Sequence, residues 1–217
     1  MNRLGVLVMA YGSPDSLKDV APYLEDIRGG RPISERFLKE ICERYNRIGG
    51  RSPLRDITEQ QACALKAELV KRGLDVVVVV GMRHWHPRIQ QAVKILAACE
   101  VTDAVAIALV PHYSTHSVGA YQTQVRKTAS SEIASPRFKF VSHFGDHPSF
   151  IAAVGDNLKH TLQLLDNPRC SSVIFTAHSL PKSWVDDTDP YLTQLHESAQ
   201  SVAQHVGLRS TQWQLCF

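Results

Sequence analysis

Short apolar runs alternate along the chain with stretches in which apolar residues recur every three or four positions. The first pattern suits strands buried in a parallel sheet, and the second suits amphipathic helices packed on it. Strands are predicted over residues 4–9, 75–81, 103–110, 138–141 and 172–175, with a strand-like end at 210–217. Residues 76–80 are an unbroken run of valine, which predicts a strand covered on both faces. Helices are predicted over 16–27, 35–48, 58–72, 87–99, 117–129, 148–165 and 191–206. Pro87 suits the first position of its helix, Ser16 suits an N-cap with Asp19 three residues on, and Gly73 suits a C-terminal stop. This alternation predicts an α/β fold built on a Rossmann-like parallel sheet.

Residues 1–168 read as one complete half of such a fold. A polar turn, Asp166-Asn-Pro-Arg169, precedes the fifth strand. Residues 169–217 then hold one strand, one loop, one helix and a final strand-like piece, too little for an independent core. They are expected to be the beginning of a second α/β half, truncated after Phe217.

Composition narrows the function classes. With 217 residues, 44% of them hydrophobic, the chain can bury a real core. A net charge of +3, without an arginine-rich run or a basic stripe interleaved with aromatics, argues against nucleic acid as a partner. Five scattered cysteines without paired spacing fit reduced, buried thiols in a cytoplasmic protein. No apolar run approaches the roughly 20 residues that cross a bilayer. The apolar start at residues 4–9 has no cleavage site after it and is not read as a signal peptide.

Candidate chemistry lies in the segments that follow the strands, because ligands of open α/β sheets bind beyond the carboxyl ends of the strands. Tyr11, His112, Tyr113, His116 and His178 are expected to line one cleft suited to a flat, apolar ligand with a few polar contacts. His178 stands out. It follows a strand end, and imidazole both moves protons near neutral pH and ligates metals. His112, at a strand exit, is expected to bond a backbone carbonyl in preference to a metal. His84-Trp85-His86 is read as a surface loop before a metal site, and Gly29-Gly30 as a turn. Arg28, Arg31, Arg44, Arg47 and Arg51 form either a solvated basic face or a set of guanidinium forks for carboxylates.

Seven segments occur in register: Leu7-Val-Met-Ala-Tyr-Gly-Ser-Pro14, Arg44-Tyr45, Ile48-Gly-Gly-Arg-Ser-Pro-Leu54, Ile57-Thr-Glu-Gln-Gln61, Pro111-His-Tyr-Ser-Thr115, Ala177-His-Ser-Leu-Pro181, and Asp189-Pro-Tyr191 with Gln194-Leu-His-Glu-Ser-Ala199. Together they resemble the ferrochelatase family, most of all the soluble bacterial type that works on coproporphyrin. The resemblance implies a chelatase-like fold of two Rossmann-like halves with a porphyrin cleft between them. It implies insertion of Fe²⁺ into coproporphyrin III or protoporphyrin IX in haem synthesis. It makes His178 the catalytic residue and the iron ligand. Tyr11 becomes the residue facing the metal from the other side of the macrocycle. Arg28, Arg44, Tyr45, Ser52 and Tyr121 become porphyrin contacts, largely to its carboxylates. Ferrous iron and porphyrin are then substrates, no redox or organic cofactor is required, and a haem-accepting protein is an expected partner. No oligomeric state is implied. A porphyrin must lose two pyrrole protons as the metal enters, and a neutral imidazole suits proton or metal transfer. Family members continue through a complete second half that supplies a glutamate partner for the histidine and a closing helix. The chain is therefore read as truncated, with a non-catalytic porphyrin- or haem-binding fragment as the alternative.

Overall fold

The computed structural model describes residues 3–167, 170–181 and 188–217. Lys182, which follows the His178 segment, and the expected boundary at 168/169 lie outside the described residues. The chain forms two compact units, Met1–Leu109 with Tyr121–Val141, and Val110–Ala120 with Ser142–Phe217.

The first unit is built on a parallel sheet of β1 (Leu4–Ala10), β2 (Val76–Met82), β3 (Asp103–Ala108) and β4 (Arg137–Val141), in the order β2-β1-β3-β4. Val6 lies opposite Val78 on one side and Val105 on the other. β1 thus has neighbours on both edges, as β3 does, and it is buried from Gly5 to Ala10. Side chains alternate across the sheet. Val6 and Val8 pack with Ala62 of α3 (Leu54–Lys71). The opposite face meets α4 (Ile89–Ala98), where Gly81 sits against Ile89 and Leu7. Gly5 permits this close approach, since a Cβ there would lie 2.7 Å from Val101 Cγ1 and 2.9 Å from Ala104 Cβ. The valine run forms a strand covered on both faces, as expected, at the edge of the sheet. β2 is flanked by α3 and α4 but ends the sheet, so Val77 to Val80 are only half-buried. An apolar run reports covered faces and says nothing about a free edge.

A second apolar cluster joins Val20, Tyr23 and Leu24 of α1 (Val20–Ile27) to Trp85, with Ile41 and Tyr45 of α2 (Glu35–Arg47) packed on it. Three helices start elsewhere than expected. α3 begins at Leu54, four residues before the expected Thr58, because Ser52 Oγ accepts from Leu54 N–H at 3.2 Å and opens the helix there. Pro87 does not start α4. It follows a cis His86–Pro87 bond, and its carbonyl accepts from Met82 N–H, so α4 begins at Ile89 with Arg88 as N-cap. Ser16 precedes a short 3₁₀ turn at Leu17–Asp19, and its hydroxyl donates to the Asp19 carboxylate without capping a backbone N–H. Gly73 does stop α3, at φ +81° with its N–H on Val70 O.

The second unit pairs β5 (Val173–Thr176) with β6 (Trp213–Cys216) in parallel, joined by α7 (Tyr191–Val206), and adds α6 (Pro148–Gln163). α6 and α7 meet where Gly155 faces the His205 ring, beside an Asp156–His205 contact of 3.2 Å. Cover is thin: Ile174 of β5 is 57% exposed. An apolar cavity of about 170 Å³ lies among Phe150, Val154, Phe175, Leu195, Val202 and Leu215. α5 (Val118–Ser131) runs from the second unit into the first.

Candidate active site

In the first unit the loops after β1 and β2 leave the same edge of the parallel sheet and are laced together. Arg83 N–H donates to Ala10 O at 2.9 Å and His84 N–H to Tyr11 O at 2.8 Å. Gly12 makes the turn at φ +95°, and a Cβ there would lie 2.8 Å from Trp85 N. Tyr23 Oη donates to Gly12 O at 2.8 Å from below. This lacing presents Tyr11, 41% exposed, with its ring 4.6 Å from the His84 ring.

His84 is no plain surface loop residue. Its Nδ1 lies 2.9 Å from Asp26 Oδ2, and Arg88 Nη1 lies 2.7 Å from the other oxygen of the same carboxylate. Burial pulls the imidazole below its ordinary range, against the opposing pull of Asp26. The ring is therefore neutral at neutral pH. With Nδ1–H donating to a carboxylate that only accepts, Nε2 carries the lone pair. Burial likewise raises the Tyr11 hydroxyl, which stays protonated. A phenol donor and an imidazole lone pair thus stand side by side at one sheet edge. Trp85 between the histidines is buried, with Nε1–H donating to Asp15 Oδ2 at 3.1 Å. Among the described residues no three metal-ligating side chains come together, so His84-Trp85-His86 does not form a metal cage.

The expected porphyrin contacts all fall in this first unit. Arg28 is exposed at the end of α1, next to Gly29 (φ +65°) and Gly30 (φ +79°), and no ion pair holds it among the described residues. Arg44 is exposed and paired with Glu40 one turn back, a pairing that solvent keeps weak. Tyr45 is half-buried, packed on the Tyr23–Trp85 cluster, and burial raises its hydroxyl. Ser52 Oγ is an acceptor at the start of α3, a bond that leaves its hydroxyl hydrogen unspent. Tyr121 is covered, at 1% exposure, with the Arg83 guanidinium 5.6 Å from its ring centroid, and burial raises its hydroxyl strongly. Of the other arginines, Arg31 Nε donates to Arg28 O, and Arg51 pairs with Asp56 at 2.7 Å.

The second unit holds the histidines that follow β3 and β5. His112 Nε2 lies 2.8 Å from Ser198 Oγ, and Ser198 Oγ donates to Gly145 O at 2.8 Å. The serine proton is spent on the carbonyl, so His112 must donate through Nε2–H. The pair is therefore no nucleophile-and-base arrangement, in which the imidazole would accept that proton. His112 bonds a hydroxyl where a backbone carbonyl was expected, and burial lowers its titration, with a smaller push from His143. Along α7, Gln194 Oε1 accepts from Tyr113 N–H at 2.7 Å. Asp189 accepts from Thr115 N–H and from Tyr191 N–H, each at 3.0 Å. His178 is exposed two residues beyond β5, and its carbonyl accepts from Tyr191 Oη at 3.1 Å. β5 belongs to the two-stranded sheet, so the sheet-edge rule that gathers the loops after β1 and β2 does not place His178. Asp26, Asp189 and Tyr191 were not singled out for a role by sequence, and His84 was weighed only as surface loop against metal site. Asp189 and Tyr191 were visible in the Asp-Pro-Tyr motif, but their partners are distant in the chain.

A family model described as Ferrochelatase matches residues 3–217. The chain belongs to the ferrochelatase family. It is 38% identical over 212 residues to a ferrochelatase of Deinococcus radiodurans, covering 97% of this chain and 67% of that protein. It is 39% identical over 208 residues to a coproporphyrin III ferrochelatase of Halalkalibacterium halodurans, covering 95% and 67%. A Thermus thermophilus ferrochelatase is 39% identical over 222 residues, covering 94% and 70%. The chain thus spans about two thirds of the length of these ferrochelatases. The parallel α/β sheet fits the family's fold. No helix among the described residues is long and apolar enough to cross a membrane.

Proposed function

We propose that the chain carries the porphyrin- and iron-handling residues of a ferrochelatase that works in the cytoplasm. The reaction is insertion of Fe²⁺ into coproporphyrin III or protoporphyrin IX, with release of two protons and no resident cofactor. The observation that carries the reading is the family match over residues 3–217, and the chemistry of both units agrees with it. His178 stands exposed at a strand end as a ligand for the incoming metal or an acceptor of a pyrrole proton. Tyr11 offers a protonated phenol beside the neutral His84, a pair suited to the face of a macrocycle. Arg28, Arg44 and the Ser52 hydroxyl offer donors for its carboxylates, Tyr45 an aromatic flank, and Tyr121 a base for Arg83. The product would pass to a haem-accepting protein, and nucleic acid has no part.

The test is anaerobic incubation of the full chain with ferrous iron and coproporphyrin III, followed by the absorbance of the metallated product. His178→Ala is expected to abolish insertion while leaving porphyrin affinity within about tenfold, or ~1.4 kcal/mol. Loss of porphyrin binding in that variant would show its role to be misassigned. A second reading is porphyrin or haem binding without turnover, resting on the first-unit residues Tyr11, Arg28, Arg44 and Tyr45 alone. A Soret shift on adding haem that Tyr11→Phe removes, with no metal insertion, would select it.

A further inference from the structure

Two bonds around the start of α7 bear on His178. The Tyr191 ring is buried, and its hydroxyl reaches 3.1 Å to the backbone carbonyl of His178 itself. Asp189 fixes Tyr191 by accepting its backbone N–H at 3.0 Å through Oδ1, while Oδ2 accepts the Thr115 N–H at 3.0 Å. One carboxylate therefore ties the Pro111–Ser117 loop to the first turn of α7, and that turn reaches on to the residue whose imidazole faces solvent. A buried tyrosine hydroxyl must find a partner. Here the partner is the main chain of the histidine, where a donor fixes the loop without occupying either ring nitrogen.

Resting on the reading of His178 as the metal-handling residue, we propose that Tyr191, held by Asp189, is a positioning residue for the His178 imidazole. It acts through the His178 backbone and touches neither metal nor porphyrin. Losing it frees the histidine main chain to sample other directions and weakens metal capture. Porphyrin binding, which draws on the first unit, is left alone.

The test uses the full chain and Co²⁺ as the probe, titrated by its visible absorbance without porphyrin, beside coproporphyrin III titrated by its Soret band. In the wild type a Co²⁺ signal that His178→Ala removes is expected. Tyr191→Phe, which deletes one oxygen and keeps the ring, should weaken that signal's affinity by about fivefold, the worth of one neutral hydrogen bond. Porphyrin affinity should not change, and backbone amides at 177–180 should exchange faster with solvent. Asp189→Asn should move the same readouts in the same direction. If the wild type shows no His178-dependent Co²⁺ signal, the metal role of His178 falls and this inference falls with it. If that signal is present and Tyr191→Phe keeps full Co²⁺ affinity, Tyr191 is only a packing residue, whatever its effect on stability.

Discussion

Gly145 faces the His112–Ser198 pair so closely that a single methyl group should break it. A Cβ at this position would lie 2.6 Å from His112 Nε2, 2.7 Å from His112 Cδ2 and 2.8 Å from Ser198 Oγ. The ring or the serine must yield, and both are held. Ser198 is buried, and the two bonds of 2.8 Å run through its oxygen. Gly145→Ala should therefore cost both bonds, about 1 kcal/mol each, and add a packing strain of about 1–3 kcal/mol. These losses overlap, because moving the ring relieves strain as it breaks a bond, so the net expectation is ~2–4 kcal/mol. For a chain of this length that lowers the midpoint of thermal unfolding by roughly 5–15 °C. Urea unfolding of the full chain, followed by tryptophan fluorescence, measures the change. His112→Ala and the double variant complete a cycle. Without the imidazole the new methyl meets only the serine oxygen, so Gly145→Ala should cost less than half as much in the His112→Ala background. A wild-type-like midpoint for Gly145→Ala, or effects that simply add to within about 0.5 kcal/mol, would refute the steric account.

Burial lowers the titration of His84 and His112, so the unfolded chain binds protons at these sites before the folded chain does. Stability should be constant above about pH 6.5, fall as pH drops through that value, and level off once the folded imidazoles are protonated. Urea midpoints at pH 7.5 and 5.5 measure the slope, and His112→Asn should reduce it. Gly12→Ala combines a left-handed backbone with a Cβ 2.8 Å from Trp85 N, and should destabilise the chain by ~2–4 kcal/mol. It should also displace Tyr11, so a haem Soret shift that survives unchanged would contradict the geometry. Arg44→Ala should weaken coproporphyrin III binding by about tenfold at low salt and less at high salt. The tetramethyl ester, which lacks the carboxylates, should not distinguish the variant from wild type; equal losses with both ligands would mean Arg44 acts through packing.

Much of the first unit could be read from the sequence because its strands and helices differ in period. The run at residues 4–9 and the return of apolar positions every three or four residues each point to one kind of element. What could not be read was order within the sheet. The all-valine run pointed only to covered faces, and these leave the same mark on β2, which is an edge, as on the interior β1. Pro87 misled for a related reason. Its fixed φ suits a helix start, but its carbonyl is claimed by Met82 across a bend. His84 was read as part of a surface loop because its character comes from Asp26, 58 residues earlier in the chain. No local pattern announces a partner at that distance.

In the second unit the spacing of polar residues along α7 is itself a signal. Tyr191, Gln194 and Ser198 are spaced by three and four residues, so they share one face of α7. Tyr191 and Ser198 are buried, and a buried helical stripe normally holds apolar residues. Polar groups on such a stripe persist only where each finds a partner. Each does: His178 O for Tyr191, Tyr113 N–H for Gln194, and His112 with Gly145 O for Ser198. The partners come from three separate loops, after β3, β4 and β5, and each loop carries histidine. One helix face thus holds three histidine-bearing segments. The polar residues at those helical positions are explained by that work, since an apolar stripe would pack α7 as well and leave the three loops unheld.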